Sequence, residues 1–301
     1  MSDTVTLEDR FAGCLLGLAC GDAVGTTVEF SPRGSFAPVS GMVGGGPFGL
    51  RPGYWTDDTS MALCLAESLC SKGGFNAVDQ MTRYANWWEW GYLSSTGHCF
   101  DIGMTVRAAL ASYLTDGNPF AGSTHPESAG NGSLMRLAPV VLFFHPNEAD
   151  QLRYAEDSSR TTHAAPEAVA CCRLLATWLS RALNGLPKHE VLTAVEGPWP
   201  TAAVSAQAAG EWKTKHVDQI RGSGYAVESL EAAAWCFNQT TSFDAAVLAA
   251  VNLGDDADTT GAIVGQLAGA FYGRGGIPPA WRMTLHRGDE IEQMALALRR
   301  S

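Results

Sequence analysis

Two short stretches concentrate oxygen donors. One, towards the C-terminus, reads Asp255-Asp256-Ala257-Asp258-Thr259-Thr260; the other, far upstream, reads Trp55-Thr56-Asp57-Asp58-Thr59. Neither mixes lysine or arginine among its acids, and each opens an apolar run, residues 261–272 and 60–69. Unpaired carboxylates at the mouth of a buried helix are costly unless something positive sits there. Hard divalent cations such as Mg²⁺, Mn²⁺ and Ca²⁺ take oxygen ligands and meet that need. Brought together, the two stretches offer four carboxylates and two hydroxyls from Thr56, Asp57, Asp58, Asp256, Asp258 and Thr259. That is enough oxygen for two ions sharing bridging carboxylates. The competing reading is helix capping, because Asp and Thr are preferred N-caps and acids favour the first helical turn. A cap needs one such residue per helix, and both stretches carry a surplus.

Other loops supply smaller signals. Gly130-Asn131-Gly132-Ser133 precedes the apolar run 137–144. Small residues let a backbone approach a ligand, and helix-start N–H groups hold anions. No lysine follows, so this is not the phosphate loop of nucleotide-binding proteins. Glu29 lies between Val28 and Phe30, and locally it reads as a solvated glutamate. Asp101 reads as the N-cap of a helix through residues 105–110. His163, without Cys or His partners, is no metal cage by itself.

The elements that must position these groups read as helices. Glycines at 13, 17 and 21 fall on one face of a helix that starts near Leu7 and is ended by Gly21-Asp22-Ala23-Val24-Gly25. Such a face admits another helix at close range. Residues 31–54 form a Gly/Pro-rich loop suited to a flexible cover over the acidic site. Helical spacing of Met81, Tyr84, Ala85, Trp87 and Trp88 marks a helix over 76–93, its aromatic stripe in the core. Further helices are expected over 167–182, 227–237, 243–253 and 288–299, with an irregular stretch at 197–224. Strand alternation accumulates nowhere, so the expected fold class is all-α, a compact helical bundle in one domain over residues 1–301.

Bulk properties bound the partners. The chain has 301 residues, 46% hydrophobic and 17% charged, with a formal charge of −11. An acidic surface argues against nucleic acid as the main partner, and an anionic ligand must be held locally. The 8 cysteines form no C-x-x-C pair and read as reduced thiols in apolar helices. Residues 1–10 lack the basic-then-apolar pattern of a signal peptide, and the apolar runs read as too short and glycine-rich for a bilayer. A cytoplasmic protein without membrane contact is expected.

Taken together, the stretches resemble the ADP-ribosylglycohydrolase family. The matching pieces, in family order, are Gly21-Asp22-Ala23-Val24-Gly25 with Glu29, Trp55-Thr56-Asp57-Asp58-Thr59, Asp101-Ile102-Gly103, residues 130–136, Thr162-His163 and Asp256-Ala257-Asp258-Thr259. The resemblance implies an all-α domain of that type with two divalent cations, Mg²⁺ or Mn²⁺. Their ligands would be Thr56, Asp57, Asp58, Asp256, Asp258 and Thr259. It implies that Gly130, Asn131, Gly132 and Ser133 hold a diphosphate with His163 beside them, and that Asp101 and Gly103 lie near the terminal ribose. Glu29 would stand at a mobile entrance. The family pattern is usually Gly-Asp-Thr-Asp-Thr where this chain has Asp255-Asp256-Ala257-Asp258-Thr259, so Asp255 is an extra acid without an implied role. The implied reaction is hydrolysis of the bond between ADP-ribose and an acceptor, foremost a modified arginine on a protein, with ADP-ribose as product. Glu29 or Asp101 would move the proton as catalytic residues. Two alternatives stay open: O-linked substrates (serine-linked or O-acetyl-ADP-ribose, or a nucleic-acid end), and a non-catalytic relative, crystallin-like or transferase-blocking.

Overall fold

The computed structural model describes residues 5–300; the first four residues of the segment read for a signal sequence, and Ser301, lie outside them. Fourteen α-helices follow one another: α1 (Leu7–Gly25), α2 (Asp57–Lys72), α3 (Ala77–Trp90), α4 (Met104–Asp116), α5 (Ala138–Phe143), α6 (Glu148–Arg160), α7 (Pro166–Leu183), α8 (Lys188–Val191), α9 (Ala202–Ala209), α10 (Ala226–Gln239), α11 (Phe243–Val251), α12 (Ala257–Tyr272), α13 (Pro279–Thr284) and α14 (Gly288–Arg300). Among the described residues there is no strand, only isolated bridges. The fold class is all-α.

Two helices are apolar all round and therefore buried all round. In α1, residues 11–25 are all buried, and in α12, residues 257–270 are. They cross antiparallel with their backbones in contact. A methyl group on Gly13 would lie 2.4 Å from the Gly269 carbonyl oxygen; one on Gly17, 2.2 Å from that of Gly265; one on Gly21, 2.0 Å from that of Gly261. No side chain fits such gaps, so the four-residue glycine spacing in α1 meets the matching row in α12. Around this pair stand α2, α5, α7, α10, α11 and α14.

The zipper sets the site. Asp22 follows Gly21 directly, and Asp258 precedes Gly261 by less than a turn. Locking the two glycines together places both acids at one end of the pair. The residues expected to end α1 after Gly21 instead continue it to Gly25. Nothing else in the segment breaks it, and burial on all sides supports it.

Three other expectations change. Residues 7–28 are long and apolar enough to cross a bilayer by length and composition, so length does not exclude a span; but the segment is almost wholly buried within the protein. Cys99 lies half-buried in a loop rather than in a helix. The 31–54 loop is anchored: Asn252 accepts from the Val39 N–H at 2.8 Å and donates to its carbonyl at 3.0 Å, and Arg33 donates to the carbonyls of Leu253, Val217 and Ile220.

Candidate active site

The acidic stretches open α2 and α12, and neither caps its own helix. Thr56 and Asp256 occupy the N-cap positions without any side-chain capping bond. The orphan N–H groups are met from elsewhere. The Asp22 carboxylate accepts from the Thr56 N–H at 2.9 Å and the Thr59 N–H at 3.0 Å. Glu29 Oε2 accepts from the N–H groups of Ala257 at 2.7 Å and Asp258 at 3.0 Å. Glu29 is thus a buried helix anchor, not a solvated glutamate. Because Asp22 and Glu29 supply the caps, the carboxylates of Asp57, Asp58, Asp256 and Asp258 are left for other work.

The carboxylates of Asp58, Asp256 and Asp258 converge with those of Asp22 and Glu29, while Asp57, expected among the ligands, belongs to neither group. Oxygens of Asp22, Asp58 and Asp258 all lie within 4.8 Å of one another, and so do those of Glu29, Asp256 and Asp258. Asp258 belongs to both groups. Thr56 Oγ1 lies 3.0 Å from Asp22, 3.2 Å from Asp58 and 3.3 Å from Asp258. Its single hydrogen satisfies one of the three at a time. Thr259 Oγ1 stands 3.5 Å from Asp58. Asp58 Oδ1 is buried with no hydrogen-bond partner among the described residues. An all-oxygen donor set with one orphaned carboxylate oxygen and no lysine or arginine in the cavity wall fits hard cations.

The carboxylates open onto a cavity of about 660 Å³. Its wall includes Glu29, Asp57, Asp101, Gly103, Gly130, Asn131, Gly132, His163, Asp256, Asp258 and Thr259. Thr56 and Asp58 sit beneath that wall, fully buried. Ser133 is not part of it: its hydroxyl turns inward to Ser159 Oγ at 2.8 Å and Cys172 Sγ at 3.2 Å. Asn131 Nδ2 donates to Asp256 Oδ2 at 2.8 Å, so its amide orients a carboxylate. Asp101 does not cap α4; Gly103 holds that position, and Asp101 sits in the loop at φ 57°.

Asp255 lies at the exposed rim of the cavity and belongs to neither carboxylate group. The bonds it makes are through its backbone. Its N–H donates to the Ser31 carbonyl and its carbonyl accepts from the Phe30 N–H, both at 2.8 Å. Asp255 and Phe30 both take positive φ, 59° and 60°. Asn tolerates that conformation as Asp does. Asp255→Asn is therefore expected to leave turnover within about twofold of wild type, the range of an ordinary surface substitution. Asp256→Asn, one residue on, is expected to lose it; equal losses in the two assays would contradict this division.

Burial raises the carboxyl pKa values throughout the cluster. Asp22 is pushed up to about 7 by burial and then by the charge of Asp258, and Asp101 to about 7 by burial. Glu29, Asp57, Asp58 and Asp258 also rise, first through burial and then through one another's charges. A carboxyl with a raised folded-state pKa binds more protons folded than unfolded. The metal-free fold therefore loses stability as pH climbs from the ordinary carboxylate range through about 7. In EDTA, Tm is expected to fall between about pH 5 and about pH 8, and saturating Mn²⁺ to flatten the slope, because a bound cation takes the place of the protons. A Tm that rises with pH in EDTA would refute this.

An all-α core aims two acidic helix starts at one cavity, and the carboxylates there are grouped as a metal-holding set would be. A sequence profile described as ADP-ribosylglycohydrolase matches residues 3–301. The chain is 47% identical to ADP-ribosylarginine hydrolase Tri1 of Pseudomonas putida (strain GB-1), over 96% of this chain and 78% of that one. It is 33% identical to the ADP-ribosyl-[dinitrogen reductase] glycohydrolase of Rhodospirillum rubrum, over 95% and 94%. A solved structure described as an ADP-ribosylglycohydrolase-related protein complex superposes with a TM-score of 0.86 at 45% identity, covering 98% of both chains. The chain belongs to the ADP-ribosylglycohydrolase family. It is a hydrolase of the glycosidic bond that joins ADP-ribose to an acceptor.

Proposed function

We propose that this chain, as one ADP-ribosylglycohydrolase domain over residues 1–301 and in the cytoplasm, removes ADP-ribose from modified arginine on a protein, with two divalent cations, Mg²⁺ or Mn²⁺. The observation that carries the reading is the membership of Asp258 in both carboxylate groups, with Asp58 Oδ1 left orphaned. The likeness to two arginine hydrolases, at 47% and 44% identity, supports the acceptor.

Asp22, Asp58 and Asp258, with Thr56, would hold one cation, and Glu29, Asp256 and Asp258, with Thr259, the other; Asp57 faces the cavity beside both. Bound cations supply Lewis acidity to the ribose hydroxyls and lower the pKa of water. The protein's own residues do the rest. Asp22 and Glu29 fix the first turns of α2 and α12, so the carboxylates stand preorganised. Gly130 and Gly132 leave room for the diphosphate to approach the backbone, and His163 faces that space. Gly103 leaves the wall open beside the terminal ribose. Asp101 touches the cavity and shares a side-chain hydrogen bond with Asp258, and burial raises its pKa, so it is placed to give a proton to the leaving group. Glu29 spends Oε2 on α12, which leaves Asp101 the freer of the two candidate proton carriers.

The test compares acceptors. Initial rates of ADP-ribose release are measured from arginine-modified protein, serine-modified protein and O-acetyl-ADP-ribose, with Mn²⁺. Arginine is expected to be preferred by at least about tenfold. A preference for either O-linked substrate would replace the acceptor and keep the site.

A further inference from the structure

Beneath the Gly130–Ser133 turn lies a positive charge with no negative partner. The Arg136 guanidinium is fully buried, yet no carboxylate pairs with it among the described residues. Nη1 donates to the Gly132 carbonyl at 2.6 Å, Nη2 donates to Thr162 Oγ1 at 2.8 Å, and the Tyr84 ring covers it at 4.8 Å. Nε has no partner. A buried, unpaired guanidinium is costly, and this one is held beside a cavity whose other charges are all acidic.

Its contact with Thr162 has a consequence one bond further on. Thr162 Oγ1 also lies 2.8 Å from His163 Nδ1. A guanidinium only donates, so the hydroxyl accepts from Arg136 and has one hydrogen left to give. Thr162 is fully buried, and the only other partner of its hydroxyl among the described residues is that ring nitrogen. Were Nδ1 to donate instead, the hydroxyl hydrogen would be stranded in the interior at the cost of a lost hydrogen bond. Nδ1 is therefore the acceptor, and the neutral ring carries its proton on Nε2. Burial, then the Arg136 charge, hold the imidazole pKa down at about 3, so the ring stays neutral. Nε2 makes no hydrogen bond to the described protein. It lies 3.3 Å and 3.1 Å from where side chains on Gly130 and Gly132 would begin, in the wall of the cavity.

We infer that Arg136 and Thr162 are positioning residues: a relay from guanidinium to hydroxyl to imidazole fixes His163 as a neutral Nε2–H donor aimed at an anionic group of the ligand, and the buried Arg136 charge provides the local positive potential for that group. The anion is the diphosphate of ADP-ribose, and here the inference rests on the function proposed above. The relay also accounts for two glycines at once. A side chain at 132 would begin 2.8 Å from Cε1 of the imidazole that the relay holds in place, and one at 130 would crowd its Nε2 at 3.3 Å.

The experiment uses the full chain with ¹⁵N-labelled histidine, His163 being assigned by the signals lost in His163→Gln. The ring nitrogens of ligand-free wild type are expected to show the Nε2–H tautomer. Thr162→Val is expected to shift the ring towards Nδ1–H or a mixture, and to weaken ADP-ribose binding in Mn²⁺ about tenfold or more, the range for losing a hydrogen bond to a charged group. Thr162→Ser, which keeps the hydroxyl, is expected to restore both, and a simple packing defect would not follow that order. A wild type in the Nδ1–H form overturns the relay, as does a Thr162→Val protein with unchanged tautomer and affinity. A wild type in the Nε2–H form that binds no ADP-ribose leaves the relay standing and overturns the diphosphate reading of the loop.

Discussion

Asp258→Asn is expected to lower kcat/KM for ADP-ribose release by roughly 10³-fold or more, and to make the metal-free protein more stable. Both effects follow from one position. Asp258 is shared by the two carboxylate groups, so the amide weakens both cation sites together. Cation stabilisation of developing charge is worth several kcal/mol, and each 1.36 kcal/mol is tenfold in rate. In EDTA the same change removes a carboxyl that burial, and then the charge of Asp101, push well above its usual pKa range, and with it the cost of keeping that group protonated in the fold. Tm should rise above the wild type in EDTA, the trade between stability and function found where a site is built from like charges. With Mn²⁺ the order should reverse, because only the wild type gains binding energy. Activity within tenfold of wild type, or a lower Tm in EDTA, would remove Asp258 from the centre of the site.

Gly21→Ala carries the second large effect, through the helix pair. The added methyl would sit 2.0 Å from the Gly261 carbonyl oxygen and 2.4 Å from its carbon. Both neighbours are backbone, so no side chain can turn aside and the helices must part. Overpacking of this kind costs about 1–3 kcal/mol, and here the rigid partner favours the upper end or beyond. Tm should drop by several degrees. Parting α1 from α12 also separates Asp22 from Asp258, so Mn²⁺ affinity should fall with it although no ligand has been touched. Gly74→Ala is the control: that position has open space around it, and Tm should stay level. A Gly21→Ala protein with wild-type Tm and Mn²⁺ affinity would mean that the zipper does not set the site.

The acids at 56–58 and 256–259 are legible in the sequence because carboxylates unmixed with lysine or arginine, set before an apolar helix, are too costly to bury without a cation. Glycines 13, 17 and 21 announce a close helix contact, though not its partner, since pairing is a property of the fold. Asp22 escapes a reading of the sequence. A lone acid between Gly21 and Ala23 resembles a helix end, and its work in holding α2 emerges only when the chain brings Thr56 and Thr59 to it. Glu29 stands out by likeness alone; locally it resembles any exposed glutamate. The turn at 130–133 is visible, but the inward rotation of Ser133 is not, because side-chain direction in a turn depends on what lies behind it, here Ser159 and Cys172. Helix α6 is hidden because Glu148–Arg160 is polar on most faces, so no apolar stripe marks it.

The most direct measurement is release of ADP-ribose from arginine-modified protein by wild type stripped with EDTA and then titrated with Mn²⁺. Release is expected to be absent after stripping and to return with Mn²⁺, saturating near two ions per chain. Undiminished release in excess EDTA would contradict the assignment of the carboxylate cluster as the seat of the reaction.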